Sequence, residues 1–410
     1  MLRISPAIWL SPIIVGLTWL FITDLPPGWA DPYPLALTSA GASMIRIIAP
    51  ICAACAAWEG GRLRRAGCFD WPHVRPTAVL VMTMLLPTLV VGMLMVAGAL
   101  LFKMIETGMV FIPDWRVLSM AIIVLLAHVL LGFAMGVRLP VVVSLPMVFL
   151  LSFGWMVIPD TLEPLWLRHL NGNWASCCSV DTNLAMQVLI GIFIVAVGMI
   201  SMASVLLVQR LMVWQVLVSI MPLAIGLGVG SYLVQELDSS PTVARDESVL
   251  VCSTDQPRVC VWPEHETRLA EVVALATEAS MAWQQAGLIV PDEFTEGAGD
   301  DRGIGSFGFN METDRDTLFN SLSRSVLPPV ANCEGQGSVS PREVQTYLVA
   351  WLNSVAGMPA EALVARANAQ ILDTIATVQL LPLEEQQIWF ERNLIALEQC
   401  GVPPQLEPLP

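Results

Sequence analysis

A succession of long apolar stretches fills the first 235 residues, and it leaves this part of the chain few ways to fold. Seven of them read as segments able to cross a bilayer: about Pro6–Thr23, Leu35–Ala57, Thr77–Phe102, Val117–Val137, Pro140–Ile158, Ala185–Val208 and Val213–Leu233. Crossing takes roughly 18 or more consecutive apolar residues. Within hydrocarbon every backbone polar group must be satisfied internally, so such stretches become helices. The expectation is a membrane all-α bundle of about seven helices over residues 1–235, then a linker at 236–247 and a mostly α domain with a small β-hairpin over 248–410.

Charge sharpens this division. Residues 1–235 hold 11 Lys and Arg against 9 Asp and Glu, whereas 236–410 hold 9 Arg against 26 acidic residues. An acidic soluble domain argues against nucleic acid as a partner, because phosphates require a basic face. Short loops rich in Lys and Arg stay on the cytoplasmic side. The densest basic stretch runs from Trp58 and Glu59 through Arg62, Arg64 and Arg65 to Arg75, between the second and third segments. Threading the chain from a cytoplasmic N-terminus places Arg3, Arg62, Arg64, Arg65, Arg75, Arg138 and Arg210 inside, 7 of those 11 basic residues. Seven crossings then leave the C-terminal domain extracellular in a multi-pass protein of the cell membrane. Gly28-Trp29-Ala30 resembles a signal-peptidase site, whose cleavage would not alter the later threading.

Within the segments, Pro12, Pro50, Pro87, Pro146 and Pro222 each remove a helical hydrogen bond and favour kinks. Gly132–Gly136 and Gly226–Gly230 have the GxxxG spacing of close helix packing. Arg46 and His128 stand deep in apolar runs, where polar side chains face a bundle interior or a water-filled cavity. Each reads either as part of a polar cavity, for an anion in the case of Arg46, or as a side chain bonded to helix carbonyls. The outer loop 159–187 carries Leu162, Leu165, Trp166, Leu167, Leu170 and Trp174, an amphipathic pattern suited to the membrane interface.

In the C-terminal domain, Val249–Cys252 and Val259–Trp262 flank a turn sequence and predict a hairpin. Helices are expected over Glu264–Ala286, Pro341–Val355, Pro359–Val378 and Pro382–Gln399, with Glu293–Asn310 a loop. Nine cysteines are present. The four in this domain allow three pairings; Cys252–Cys260 and Cys333–Cys400 are preferred, as an oxidising exterior stabilises such bridges. Cys52-Ala-Ala-Cys55 has the spacing of a redox motif, but inside an apolar helix it reads as small packing residues.

No catalytic constellation, metal set or cofactor motif emerges. His265-Glu266 lacks the second His of a zinc-protease helix, and neither a GxSxG elbow nor a GxxxxGK[ST] phosphate loop occurs. The layout, with a basic loop at Trp58–Arg75 and a long outer loop at Pro159–Gln187, resembles the ABC-2 type (type V) export permeases. The region from Arg258-Val-Cys-Val-Trp-Pro-Glu-His265 through Leu381–Trp389 to Cys400 is similar to the C-terminal part of actinobacterial ABC-2-like membrane proteins. The resemblance implies a permease subunit, not itself an enzyme, driven by a cytoplasmic ABC ATPase docked on Trp58–Arg75. It further implies a second permease subunit and contact with membrane lipid. A membrane-anchored extracellular ligand-binding or sensor protein is the alternative.

Overall fold

The computed structural model describes residues 5–23, 32–67, 77–173, 177–207, 213–237, 239–298, 303–331 and 340–407. It divides into two compact units, Met1–Arg245 and Asp246–Pro410.

The first unit is built from α1 (Pro6–Thr23), α2 (Pro34–Ala42), α3 (Ile45–Arg65), α4 (Thr77–Thr107), α5 (Trp115–Arg138), α6 (Val141–Val157), α7 (Met186–Leu206) and α8 (Val213–Val234). Six spans among the described residues are long and apolar enough to cross a membrane, α2 and α3 together forming one of them; Val218–Val234 is a shorter apolar helix. Local chemistry sets several boundaries. Asp114 caps α5 by accepting from the backbone N–H of Arg116 at 2.8 Å and of Val117 at 3.4 Å, the capping arrangement that satisfies otherwise orphaned donors. Burial alone would raise the Asp114 pKa, but the hydrogen bonds from Arg116 hold its carboxyl below the ordinary value. At its other end α5 stops at Arg138, immediately before Leu139-Pro140, because a residue before proline avoids helical geometry.

Small residues hold the centre together. Helix α3 packs most extensively against α5 and also against α6. A Cβ at Gly132 would collide with the Ala53 carbonyl, and one at Gly136 with the Ala57 carbonyl. In return, Gly60 of α3 lies against the backbone of Phe133 and Val137. The backbones meet because no side chain stands between them. Gly198 against Pro222 and Gly226 against Ile194 repeat the device between α7 and α8.

The stretch 58–65, expected as a loop, continues α3 to Arg65. Glu59 is buried and pairs with Arg62 at 2.7 Å, so its charge is answered within the helix. Gly67, with φ of +63°, follows the helix end. The 159–187 loop likewise folds onto the helices of the first unit. A 3-10 segment, Leu165–Leu170, packs on α7 and α8 with His169 and Leu170 buried. Asn171 and Asn173 tie it back to Asp160 at 3.2 and 2.8 Å. Trp174 lies outside the described residues.

After α8 the chain returns as β2 (Thr242–Ala244), antiparallel to β1 (Thr182–Leu184). Part of the expected linker is therefore ordered strand. Arg245 donates to the Val180 carbonyl at 3.0 Å and lies 4.7 Å from the Tyr33 ring centroid.

The second unit carries a four-stranded sheet in the order β3 (Val251–Cys252), β4 (Arg258–Val261), β5 (Glu293–Thr295), β6 (Ile304–Ser306). The β3–β4 pair is antiparallel and the other two pairs are parallel. Helix α9 (Leu269–Gln285) supplies the crossover from β4 to β5, and α10 (Arg315–Ser325), α11 (Pro341–Val355), α12 (Ala360–Val364), α13 (Ala369–Gln379) and α14 (Leu383–Glu398) complete the unit. Its core gathers Trp283, Trp351, Phe294 and Leu348, all fully buried. The Glu293–Asn310 stretch, expected as a loop, contains β5 and β6. The helix expected over Pro359–Val378 is split, because Asn368 turns its side chain onto the Ile371 N–H and starts α13.

The hairpin disulfide joins Cys252 to Cys260, which face each other across β3 and β4. Cys400 is also disulfide-bonded; Cys333, its expected partner, lies outside the described residues. A further disulfide joins the adjacent Cys177 and Cys178. Cys52 and Cys55 are free thiols buried in α3, as expected of packing residues.

Candidate functional site

The first unit encloses a cavity of about 270 Å³ bounded by α3, α5, α6, α7 and α8. Its wall is almost wholly apolar: Leu131, Val148, Met199 and Leu227 are typical, and Trp155 contributes an indole. Gly132 and Ala53, the point of closest approach between α5 and α3, belong to the same wall.

Besides Trp155 with its indole N–H, two lining side chains carry polar atoms. His128 is 3% exposed, and its Nδ1 lies 2.9 Å from the Val124 carbonyl one turn earlier. A carbonyl only accepts, so Nδ1 carries the proton. Among the described residues no acidic side chain lines the cavity, and a neutral imidazole of this tautomer leaves Nε2 as an acceptor. That atom is buried without a partner. Ser152, on α6, is 8% exposed and its Oγ is likewise unpartnered. Buried polar groups are normally hydrogen-bonded, so these two atoms, both closed to water, are exceptions within the helix bundle.

The sequence-derived candidates fall in three places. His128 is among the lining residues, and its Nδ1 bonds back to the Val124 carbonyl. Arg46 is not among the lining residues; its guanidinium lies 5.7 Å from the Phe21 ring centroid, and its buried Nε has no partner. The third group, the basic residues, gathers at one end of the bundle. Arg64 donates to the Arg138 carbonyl at 2.9 Å, and Arg138 Nε donates to the Leu206 carbonyl at 2.5 Å. The end of α3, the α5–α6 turn and the end of α7 are thus stitched together. Trp58 and Arg65 remain exposed, the Arg65 guanidinium 5.9 Å from the Trp58 ring centroid. Glu59 is only 2% exposed, which leaves it little surface for a partner. Arg75 lies outside the described residues. Trp58 also borders an apolar groove formed with Trp9 of α1 and Phe149 of α6.

In the second unit, His265 does not work with Glu266. Its Nδ1 lies 2.8 Å from the Glu296 carboxylate, which also accepts the Trp262 backbone N–H at 2.9 Å. Both side chains are buried, and the pair pins the segment after β4 to the end of β5. Among the described residues no group of three or more His, Cys, Asp or Glu is placed to hold a metal ion. Sequence reasoning missed Ser152, because a lone serine in an apolar helix more often bonds back to its own carbonyls.

A family model described as "Domain of unknown function (DUF7224)" matches residues 259–400, the greater part of the second unit. No curated protein and no solved structure matches the chain.

Proposed function

We propose that the chain is the membrane subunit of an ABC-2-like exporter, with ATP hydrolysis supplied by a separate cytoplasmic ATPase. The observation that carries this reading is the course of α3. One end displays Trp58 and Arg65 on the basic face, and its middle forms the cavity wall at Ala53. Between the two, backbone-to-backbone packing on α5 makes the helix a stiff link. A partner that moves the basic end moves the cavity wall with it.

In this reading the basic face is cytoplasmic, and a second permease subunit completes the assembly within the lipid. The C-terminal unit is extracellular, where its Cys252–Cys260 disulfide persists.

Arg62 and Arg64 already have internal partners in Glu59 and the Arg138 carbonyl, so the docking test uses Trp58→Ala combined with Arg65→Glu. Tagged protein purified in mild detergent is expected to bring down, in stoichiometric amount, an ATPase carrying a GxxxxGK[ST] loop. The double variant is expected to insert normally and lose that partner. A clean wild-type preparation without an ATPase refutes the exporter reading and favours an extracellular ligand-binding protein.

A further inference from the structure

We infer that the groove between α1, α3 and α6 holds the acyl chains of an anionic phospholipid, whose phosphate meets Arg65 at the groove's end. The groove encloses about 580 Å³ and its lining is apolar. Two small residues of α3, Ala54 and Cys55, line it together with larger side chains, Trp9 on α1 and Phe149 on α6. Along α3 the lining runs from Ile51 to Trp58, about 10 Å at 1.5 Å per residue. That is roughly a third of a 30 Å hydrocarbon core, the depth of the acyl segments nearest a headgroup.

Charge selects the lipid. Trp58 and Arg65 stand nearly in line on α3, about two turns apart, and the Arg65 guanidinium lies 5.9 Å from the Trp58 ring centroid. Arg65 commits only its Nε within the helix, donating to the Gly61 carbonyl at 3.3 Å. Among the described residues no carboxylate pairs with it, whereas neighbouring Arg62 is answered by Glu59. Its two terminal amino groups can therefore take a phosphate. Trp9 and Trp58, both exposed and both lining the groove, are residues that settle at headgroup level, which puts the adjoining guanidinium at the same level. A zwitterionic headgroup carries its own cation beside the phosphate and gains less from Arg65 than one of net negative charge. The site needs only a bilayer and is tested on purified protein, so its failure and that of the exporter reading are separate results.

The test uses the full chain in phosphatidylcholine nanodiscs and a phosphatidylglycerol carrying a diazirine in its acyl chain, with modified residues mapped by mass spectrometry. Label is expected to concentrate on the facing stretches of α1, α3 and α6. Unlabelled phosphatidylglycerol should compete about fivefold better than phosphatidylcholine, the factor one arginine gives near an anionic lipid. Arg65→Gln should abolish that preference, and Arg65→Lys, which keeps the charge, should retain it. Ala54→Trp, which fills the groove, should remove the concentrated label while the protein stays monodisperse; Ala54→Leu is the milder filling should the larger one disturb folding. Equal competition by the two lipids would show ordinary boundary lipid without recognition and would overturn the inference. Competition by water-soluble glycerophosphoglycerol as strong as by the lipid would show a phosphate site that needs no acyl chain, and would overturn it too. Label that reaches the groove only after a dimer is dissociated would make a second copy the occupant, with the same consequence.

Discussion

Alanine at Gly136 or Gly132 is the sharpest perturbation of the α3–α5 seam. The new Cβ would press into the backbone carbonyl of Ala57 or Ala53, neither of which can rotate away. Ordinary contact begins near 3.4 Å, so restoring it forces the helices apart by more than an ångström along the line where they are closest. Overpacking of this kind costs about 1–3 kcal/mol. Replacing glycine by alanine inside a helix returns about 1 kcal/mol through backbone entropy, leaving a net loss of up to about 2 kcal/mol, at the upper end here because the clash is with backbone. Gly98 in α4 and Gly228 in α8 provide the control, since a Cβ there meets nothing within 4 Å. They receive the entropic gain without the clash. In detergent, thermal unfolding followed by size-exclusion chromatography should therefore rank G98A and G228A at or above wild type. G132A and G136A should fall several degrees below it, at roughly 2–4 °C per kcal/mol for a unit of this size. Because both seam glycines oppose one short stretch of α3, the separation forced by the first alanine relieves part of the second clash, and the double variant should lose less than the sum. If G136A proves as stable as G98A, the two backbones are not in contact and the stiff link drawn from Trp58 to the cavity fails.

Removing the hairpin disulfide with Cys252→Ala and Cys260→Ala frees a loop with a sequence separation of 8. The chain-entropy relation assigns about 2.5 kcal/mol to it, and hydrogen exchange of the β3–β4 amides should quicken; unchanged exchange would mean the bridge constrains nothing. Asp314 caps α10 through the Thr317 N–H at 2.8 Å, so Asp314→Ala should cost about 1 kcal/mol. The Thr317 backbone hydrogen bond holds that carboxyl below its ordinary 3.8; the cap's contribution is thus fully present above pH 3.8 and fades as pH falls through the lower folded value. The melting difference between wild type and variant should then shrink on acidification from pH 6 to pH 2, and a constant difference would refute it. Trp283 donates to the Leu352 carbonyl at 3.0 Å in the core, but that carbonyl also receives the Ala356 N–H, so Trp283→Phe should cost no more than about 1–3 kcal/mol by calorimetry. Finally, an impermeant maleimide on intact cells should label Ser240→Cys but not Ala66→Cys; the reverse pattern would invert the orientation and remove the cytoplasmic docking face.

Where the sequence was legible, the determinant is local. Asp114 before an apolar run and Leu139-Pro140 after it bracket α5 by capping and by proline geometry. Ser340-Pro341-Arg342-Glu343 starts α11 in the same way, the serine side chain accepting from the Glu343 N–H. Cys252 and Cys260 flank a turn short enough that pairing the strands brings the sulfurs together. Where it was not legible, the partner is distant. Glu59, Gly60 and Gly61 look like loop residues until Arg62 neutralises the carboxylate and α5 and α6 cover the glycines. Strands β5 and β6 are three residues each and owe their pairing to β4 and to each other, which leaves no alternation to detect. His128 was recognisable as a candidate by its depth in an apolar run. Ser152 was not, since what distinguishes it is an unpartnered oxygen on a cavity wall contributed by five helices.

The threading of the first unit rests on contacts that agree with one another. Tyr33 before α2, Asn183 before α7 and Arg245 after α8 meet at one end: Arg116 at the start of α5 reaches Asn183 at 3.2 Å, and Arg245 reaches Tyr33. Arg64, Arg138 and the Leu206 carbonyl meet at the other. From Asp114 onward the chain therefore runs from one end of the first unit to the other on α5, back on α6, across again on α7 and back on α8. Merging α5 with α6 into one crossing, the alternative that would invert everything downstream, would put the α6–α7 connection at the end where Arg138 sits. The bonds from Asn171 and Asn173 to Asp160 hold that connection on itself, and β1 within it pairs with β2 after α8. Cys52 and Cys55 are free and buried midway along α3, while Cys177–Cys178 lies at the end from which the chain leaves for the second unit. Arginines thus gather at one end of the first unit and the cysteine pair lies at the other.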